Sequence, residues 1–174
     1  MNQLAFKFTA TFSEAWPKLK FYVNDDLYHD YQFNQAEGYV SLPIDLLDGE
    51  HLLEIELYDK PINSTKIENG VIVQDQLVTL ENMYIDNVCL PKIFIYSGRY
   101  EHIPDSIAVT WGINGKWSFK FSTPLISWAM DFKNSLSEDH SKTSTVVSTY
   151  SDQKNKKILA ILDQIESELQ DVRI

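Results

Sequence analysis

Apolar and polar residues alternate along most of the first three quarters of this chain. Leu4, Phe6, Phe8, Ala10 and Phe12 fall on one side of the first run, with Lys7, Thr9 and Thr11 on the other. Leu19, Phe21 and Val23 repeat the pattern between Lys18, Lys20 and Tyr22, and Leu53, Ile55 and Leu57 repeat it beside Glu54, Glu56 and Tyr58. Successive side chains of a strand point to opposite faces, so each run predicts a strand with one buried and one wet face. That is the habit of antiparallel sheets.

Further strands are predicted at 38–42, 71–73, 77–86, 92–96 and 107–113. Asn114-Gly115 supplies the residue pair favoured by a type I′ turn, which predicts a hairpin between 107–113 and 116–122. Trp117, Phe119 and Phe121 would then share one face, the core face. The strand–helix–strand alternation of a parallel fold is absent. Short strands separated by turn signals predict a mainly β chain: an antiparallel β-sandwich or jelly roll spanning 1–133.

The pattern changes after this. Residues 134–153 are rich in Ser and Thr and poor in large apolar residues, which predicts a flexible linker. Over 154–174, Ile158, Leu162, Ile165, Leu169 and Val172 step by four and three, predicting an amphipathic C-terminal helix with Asp152 as a candidate N-cap. An isolated helix of this length is marginal in water. Burying each aliphatic side chain is worth about 1.5–3 kcal/mol, so the stripe is expected to contact a partner.

Composition narrows the function classes. Aromatic residues reach 13%, which favours strands, and the net charge of −10 over 174 residues counts against nucleic acid. The densest basic spot, Lys154, Lys156 and Lys157, reads as a solvated helix face. A single cysteine, Cys89, allows no intrachain disulfide and no cysteine-based zinc site. The first residues lack the basic and apolar regions of a signal peptide, and no apolar run approaches the roughly 20 residues that span a bilayer. Synthesis in a reducing cytoplasm, with no membrane partner, is the expectation.

Catalytic patterns are missing. His29, His51, His102 and His140 lack metal-site spacing and read as surface or loop residues. No Gly-x-Ser-x-Gly elbow and no phosphate-binding glycine loop occurs. Glu54 and Glu56 lie two apart on a strand, hence on one outward face. The chain is therefore not expected to be an enzyme. Two weaker chemistries remain as candidates. Asp25, Asp26 and Asp86 lie at strand ends, where hard oxygen ligands for calcium commonly sit, although Asp also makes turns unaided. Tyr22, Tyr28, Tyr31, Tyr39, Tyr58 and Tyr84 fall at or near outward positions and could stack on sugar rings, with Tyr22, Tyr58 and Tyr84 as the leading glycan-facing candidates.

Two stretches, ENGVIVQDQLVTLENMYIDNV from Glu68 and WGINGKWSFKFSTP from Trp111 followed by Trp128, together with the strand from His51 to Lys60, resemble a known family. It is that of the carbohydrate-binding-module-like sandwiches among the structural proteins of large contractile-tailed bacteriophages. The likeness spans residues 40–132. It implies a jelly-roll module displayed on or assembled into a virion after synthesis in the host, and it carries over no catalytic residue. The expected function is a non-catalytic assembly protein, with the helix binding other structural proteins or a second copy. The alternative is a lectin-like module for host-surface glycans.

Overall fold

The structure is a computed structural model that describes residues 2–102, 109–124, 127, 128, 130–132 and 134. The chain divides into two compact units, Met1–Thr123 and Pro124–Ile174. In the first unit the strands are β1 (Asn2–Ala10), β2 (Lys18–Val23), β3 (Asp26–Gln32), β4 (Glu37–Ile44), β5 (Gly49–Tyr58), β6 (Lys66–Glu68), β7 (Val71–Gln74), β8 (Val78–Ile85), β9 (Val88–Cys89), β10 (Arg99–Tyr100), β11 (Thr110–Trp111) and β12 (Gly115–Thr123). Among the described residues a helical turn, α1 (Lys92–Ile95), and a 3-10 turn at Ile62–Ser64 accompany the strands.

The strands form an antiparallel β-sandwich, as the alternation predicts. One sheet has the order β11-β8-β1-β4, with β9 added on β8, and the other the order β10-β12-β5-β2-β3. The apolar phases of both sheets meet. Phe6 and Phe8 of β1 lie 5.4 and 6.0 Å from Phe21 of β2, and Trp111 of β11 lies 5.9 Å from Trp117 of β12. Leu4, Leu19, Leu53, Ile55, Leu57, Val78, Met83 and Ile85 close the core around these rings. Trp117, Phe119 and Phe121 stack along one strand at 5.7 and 5.9 Å and are buried, as expected.

Three tight turns join hairpins through pairs of left-handed residues: Asn24-Asp25, Asn69-Gly70 and Asp86-Asn87. Positive φ at both central positions matches the strand twist, and Asn, Asp and Gly tolerate it best.

The structure departs from expectation at several places. The predicted hairpin through Asn114-Gly115 does not form between the described residues 109–113 and 116–122. Trp111 pairs with Val78 in one sheet while Gly115 pairs with Leu57 in the other. Residues 112–114 carry the chain across the sandwich, which lets both tryptophans enter the core from opposite sheets. Asn114 is spent elsewhere, its side-chain oxygen accepting the Lys60 N–H at 2.9 Å. Residues 92–96 hold α1 rather than a strand. Pro91 precedes the turn without an N–H to give a ladder, and the adjacent pair Phe94 and Ile95 is buried together, which a strand cannot do against one core. Phe12 is 51% exposed instead of buried, because β1 ends at Ala10 and Thr11 is held by the backbone of Leu77 and Asp75. Phe12 packs edge-on against Trp16 at 5.4 Å. His51 is buried in β5 rather than on the surface or in a loop.

In the second unit, Trp128 donates its N–H to the Pro124 carbonyl at 3.2 Å, and its ring lies 6.0 Å from that of Phe132. The predicted helix with Ile158, Leu162, Ile165, Leu169 and Val172, and all but the first residue of the predicted linker, lie outside the described residues.

Candidate binding surfaces

Each sheet turns one phase of its alternation outward, and the two outer faces differ in chemistry. On the β3-β2-β5-β12 face the outward residues form an ionic net. Tyr22 donates its hydroxyl to Glu56 at 2.8 Å and Tyr58 donates to Asp30 at 2.5 Å. Lys116 binds Glu54 at 3.1 Å and lies 4.7 Å above the Tyr22 ring, and Lys20 lies 4.2 Å above the Tyr58 ring. Lys18 binds Asp59 at 2.5 Å, and that hydrogen bond and charge hold the Asp59 carboxyl below its usual range.

The tyrosines of this net resist ionisation. Burial, with the hydrogen bond to Glu56, pushes Tyr22 up to about 12, and the hydrogen bond to Asp30 does the same for Tyr58. Two of the three predicted glycan-facing rings therefore share this face, but each has an ammonium over it and a committed hydroxyl. Glu54 and Glu56 share that face too, as salt-bridge and hydrogen-bond acceptors.

Tyr84 is on the other sheet. Cross-strand pairing sets Ala5 opposite Ser41 on one side and opposite Tyr84 on the other; in the next row outward, Lys7 is opposite Tyr39 and Asn82. Ala5 belongs to the outward phase, yet it is only 4% exposed, so the larger side chains around it cover it. Tyr39 stands 63% exposed on the edge strand β4 and lies near enough to Tyr84 to raise the phenol's pKa, after burial and the neighbouring Cys89 thiol. The face mixes neutral hydrogen-bonding groups with two surface ion pairs, Lys7–Glu37 at 3.6 Å and Lys92–Glu81 at 3.8 Å. Gln3 donates its amide to the Ser41 hydroxyl at 2.7 Å, and Thr79 and Thr110 share a hydrogen bond at 2.9 Å. The signal in the sequence was Ala5 itself, a small apolar residue in a phase otherwise made of Gln3, Lys7 and Thr9.

A third surface is the hairpin of β6 and β7, a separate two-stranded sheet. Its Ile67, Val71, Ile72 and Val73 are all more than half exposed.

The candidate calcium residues fall at turns. Asp25 is a left-handed turn residue, Asp26 opens β3, and Asp86 accepts the Gln3 N–H at 2.8 Å. Among the described residues no group of three or more His, Cys, Asp or Glu side chains comes together to hold a metal ion. His51 is bound on both ring nitrogens. Nδ1 meets the Asn24 side-chain amide at 3.2 Å, and Nε2 meets the Leu47 carbonyl at 2.9 Å and the Thr123 hydroxyl at 3.1 Å. Its position is that of a structural tie between the β2–β3 turn, the segment before β5 and the end of β12.

No protein-family model and no curated protein matches the chain. Among solved structures it is similar to a vCBM60 chain in complex with galactobiose, with a TM-score of 0.49 and 7% identity over 67% of this chain and 96% of that one. It is similar also to a selenomethionine form of vCBM60, described as linking two families of calcium-dependent carbohydrate-binding modules by circular permutation. That likeness has a TM-score of 0.49 and 9% identity, over 68% of this chain and 90% of that one. No residue is carried over from either.

Proposed function

We propose that this chain is a non-catalytic carbohydrate-binding module, and that its glycan face is the outer surface of β4, β1 and β8. The observation that supports this reading is the placement of Tyr39 and Tyr84 around the small residue Ala5. A sugar ring needs a flat apolar surface to lie on and neutral donors and acceptors at its edge. Exposed Tyr39 offers the first, and Gln3, Ser41 and Asn82 offer the second. The opposite face is a poorer candidate for a neutral polyol. Its rings are covered by lysines, and a sugar there would have to displace an ionic net already complete in itself.

Isothermal titration with a panel of disaccharides and oligosaccharides, galactobiose included, tests the reading. Tyr39→Ala should weaken binding roughly five- to tenfold, the equivalent of about 1 kcal/mol for a lost aromatic contact. Tyr58→Phe should leave affinity unchanged. Loss of binding on altering Tyr22 and Tyr58, with Tyr39→Ala silent, would move the site to the other sheet. Absence of binding across the panel would overturn the reading.

An assembly role, the first expectation from the sequence, draws its support from the β6–β7 hairpin instead. A place in a virion rests on the sequence resemblance alone.

A further inference from the structure

Among the described residues the β6–β7 hairpin is apolar and uncovered. β6 and β7 pair with each other and with no other described strand. Ile67, Val71, Ile72 and Val73 are 64, 63, 59 and 52% exposed, and Ile62 at the base is 98% exposed. An unpaired strand edge beside such residues is a template for another strand. The base of the hairpin is firmly held. Lys60 and Asp75 form a shielded ion pair, the Ser13 hydroxyl donates to the Ser64 carbonyl at 2.5 Å, and the Gln76 amide donates to the Ala15 carbonyl at 2.9 Å.

The residues of β6 say which partner fits. Its sequence is Lys66-Ile67-Glu68, opposite charges on either side of one isoleucine. An antiparallel pairing of this edge with its own copy, centred on Ile67, sets Lys66 opposite the partner's Glu68 and Glu68 opposite the partner's Lys66. Within the hairpin Ile67 is already paired with Ile72. The same symmetry would therefore line up Ile72, Ile67, the partner's Ile67 and the partner's Ile72 across one face of a four-stranded sheet. Opposite charges directly across a strand pair favour association, and like charges oppose it.

Charge also limits where two copies can meet. The whole chain carries −10, whereas residues 62–74 hold one lysine and one glutamate, a net charge of zero. Lys66 is engaged within the chain by Glu14 at 2.9 Å, but both side chains are nearly half exposed. A surface pair of that kind is worth at most about 1 kcal/mol, so it can be exchanged for a partner. The β7 edge, with Val71, Ile72 and Val73, has no such charge pattern to define a register.

We propose that the β6 edge is a self-association surface, through which two copies of this chain pair antiparallel about Ile67. This stands apart from the glycan reading and uses none of its residues.

Sedimentation equilibrium of the full chain across a range of concentrations and salt is the test, with circular dichroism of each variant to confirm the fold. The wild type should show a monomer–dimer equilibrium. K66E and E68K should each weaken the dimer about tenfold or more, because each sets like charges opposite one another twice by symmetry. The double variant K66E/E68K regenerates complementary pairs in swapped order and should recover the dimer. E68K leaves the Glu14 contact intact, so its effect reads the intermolecular pair alone. A wild type that stays monomeric at every concentration overturns the proposal. So does a dimer indifferent to both single variants, or one that the double variant fails to restore.

Discussion

The Lys60 ammonium lies 2.6 Å from the Asp75 carboxylate, with only 9 and 15% of the two side chains exposed. Asp75 also accepts the Thr65 hydroxyl at 2.7 Å and the Gln76 N–H at 2.9 Å, and Lys60 donates as well to the Gly112 carbonyl. This cluster ties the root of the β6–β7 hairpin to the segment that crosses between the two sheets.

Removing one member of that pair should be costly, because the other is left shielded and uncompensated. Lys60→Met is expected to lower stability by about 3 kcal/mol in urea unfolding. Burial pushes the Asp75 carboxyl up, but hydrogen bonds from Lys60 and Thr65 and the lysine charge outweigh it and hold the group below 3.8. Its contribution is therefore full above the unfolded value and lost as pH falls through the lowered folded one. Urea unfolding of wild type and Lys60→Met across the acid range should show the difference between them shrinking below about pH 4. A gap that stayed constant would mean the pair does not act through charge.

Tyr22 and Tyr58, both raised to about 12, predict an alkaline counterpart. Unfolded tyrosine ionises near 10 while these two keep their protons in the fold, so the unfolded state gains stability as pH rises from 10 to 12. Stability should fall over that window, and Tyr22→Phe with Tyr58→Phe should flatten the fall. Tyrosinate absorbance during a pH titration would check the assignment directly, since the double variant should lose two late-titrating phenols and keep those of Tyr84 and Tyr100, which burial also raises.

Gly98 is pressed against the indole of Trp117. A Cβ at this position would lie 2.3 Å from two ring carbons, and Trp117 is fully buried in the core. Gly98→Ala should destabilise the sandwich by about 1–3 kcal/mol, the usual range for overpacking. Thermal unfolding would register it. An unchanged midpoint would show that the loop before β10 yields freely.

The hydrogen bonds around His51 favour the tautomer with its proton on Nε2. Asn24 uses its side-chain oxygen to accept the Leu52 N–H, which turns its NH2 toward Nδ1 and leaves Nε2 to donate to Leu47. Nitrogen chemical shifts of the imidazole distinguish the two tautomers. His51→Phe should cost about 1–3 kcal/mol through the unpaired groups left behind, and should speed amide exchange at Leu52.

Much of the sandwich was legible in residues that alternate, because a strand's two faces meet opposite solvents and period two is the direct record of that. Leu4 to Ala10, Leu19 to Val23 and Leu53 to Leu57 went into the core as expected. β3 was harder to see. It is an edge strand whose residues are nearly all exposed, so no apolar phase was required of it. The candidate glycan face was partly legible. Outward tyrosines can be picked by phase, but which of them share a face depends on which strands become neighbours, and pairing is not written in any one strand.

The sequence by itself determined the mainly β character and the inward phase of each long strand. These follow from local sterics and from the burial of one face, which act within a few residues. Only the tertiary structure decided that Trp111 and Trp117 belong to different sheets, that Pro91 opens a helical turn, and that Lys20 and Lys116 cover the tyrosines first expected to face sugar. It likewise decided that Tyr39 and Tyr84 stand around Ala5. Those outcomes depend on contacts between residues far apart in the chain, where close packing of large rings and pairing of charges outweigh local preference.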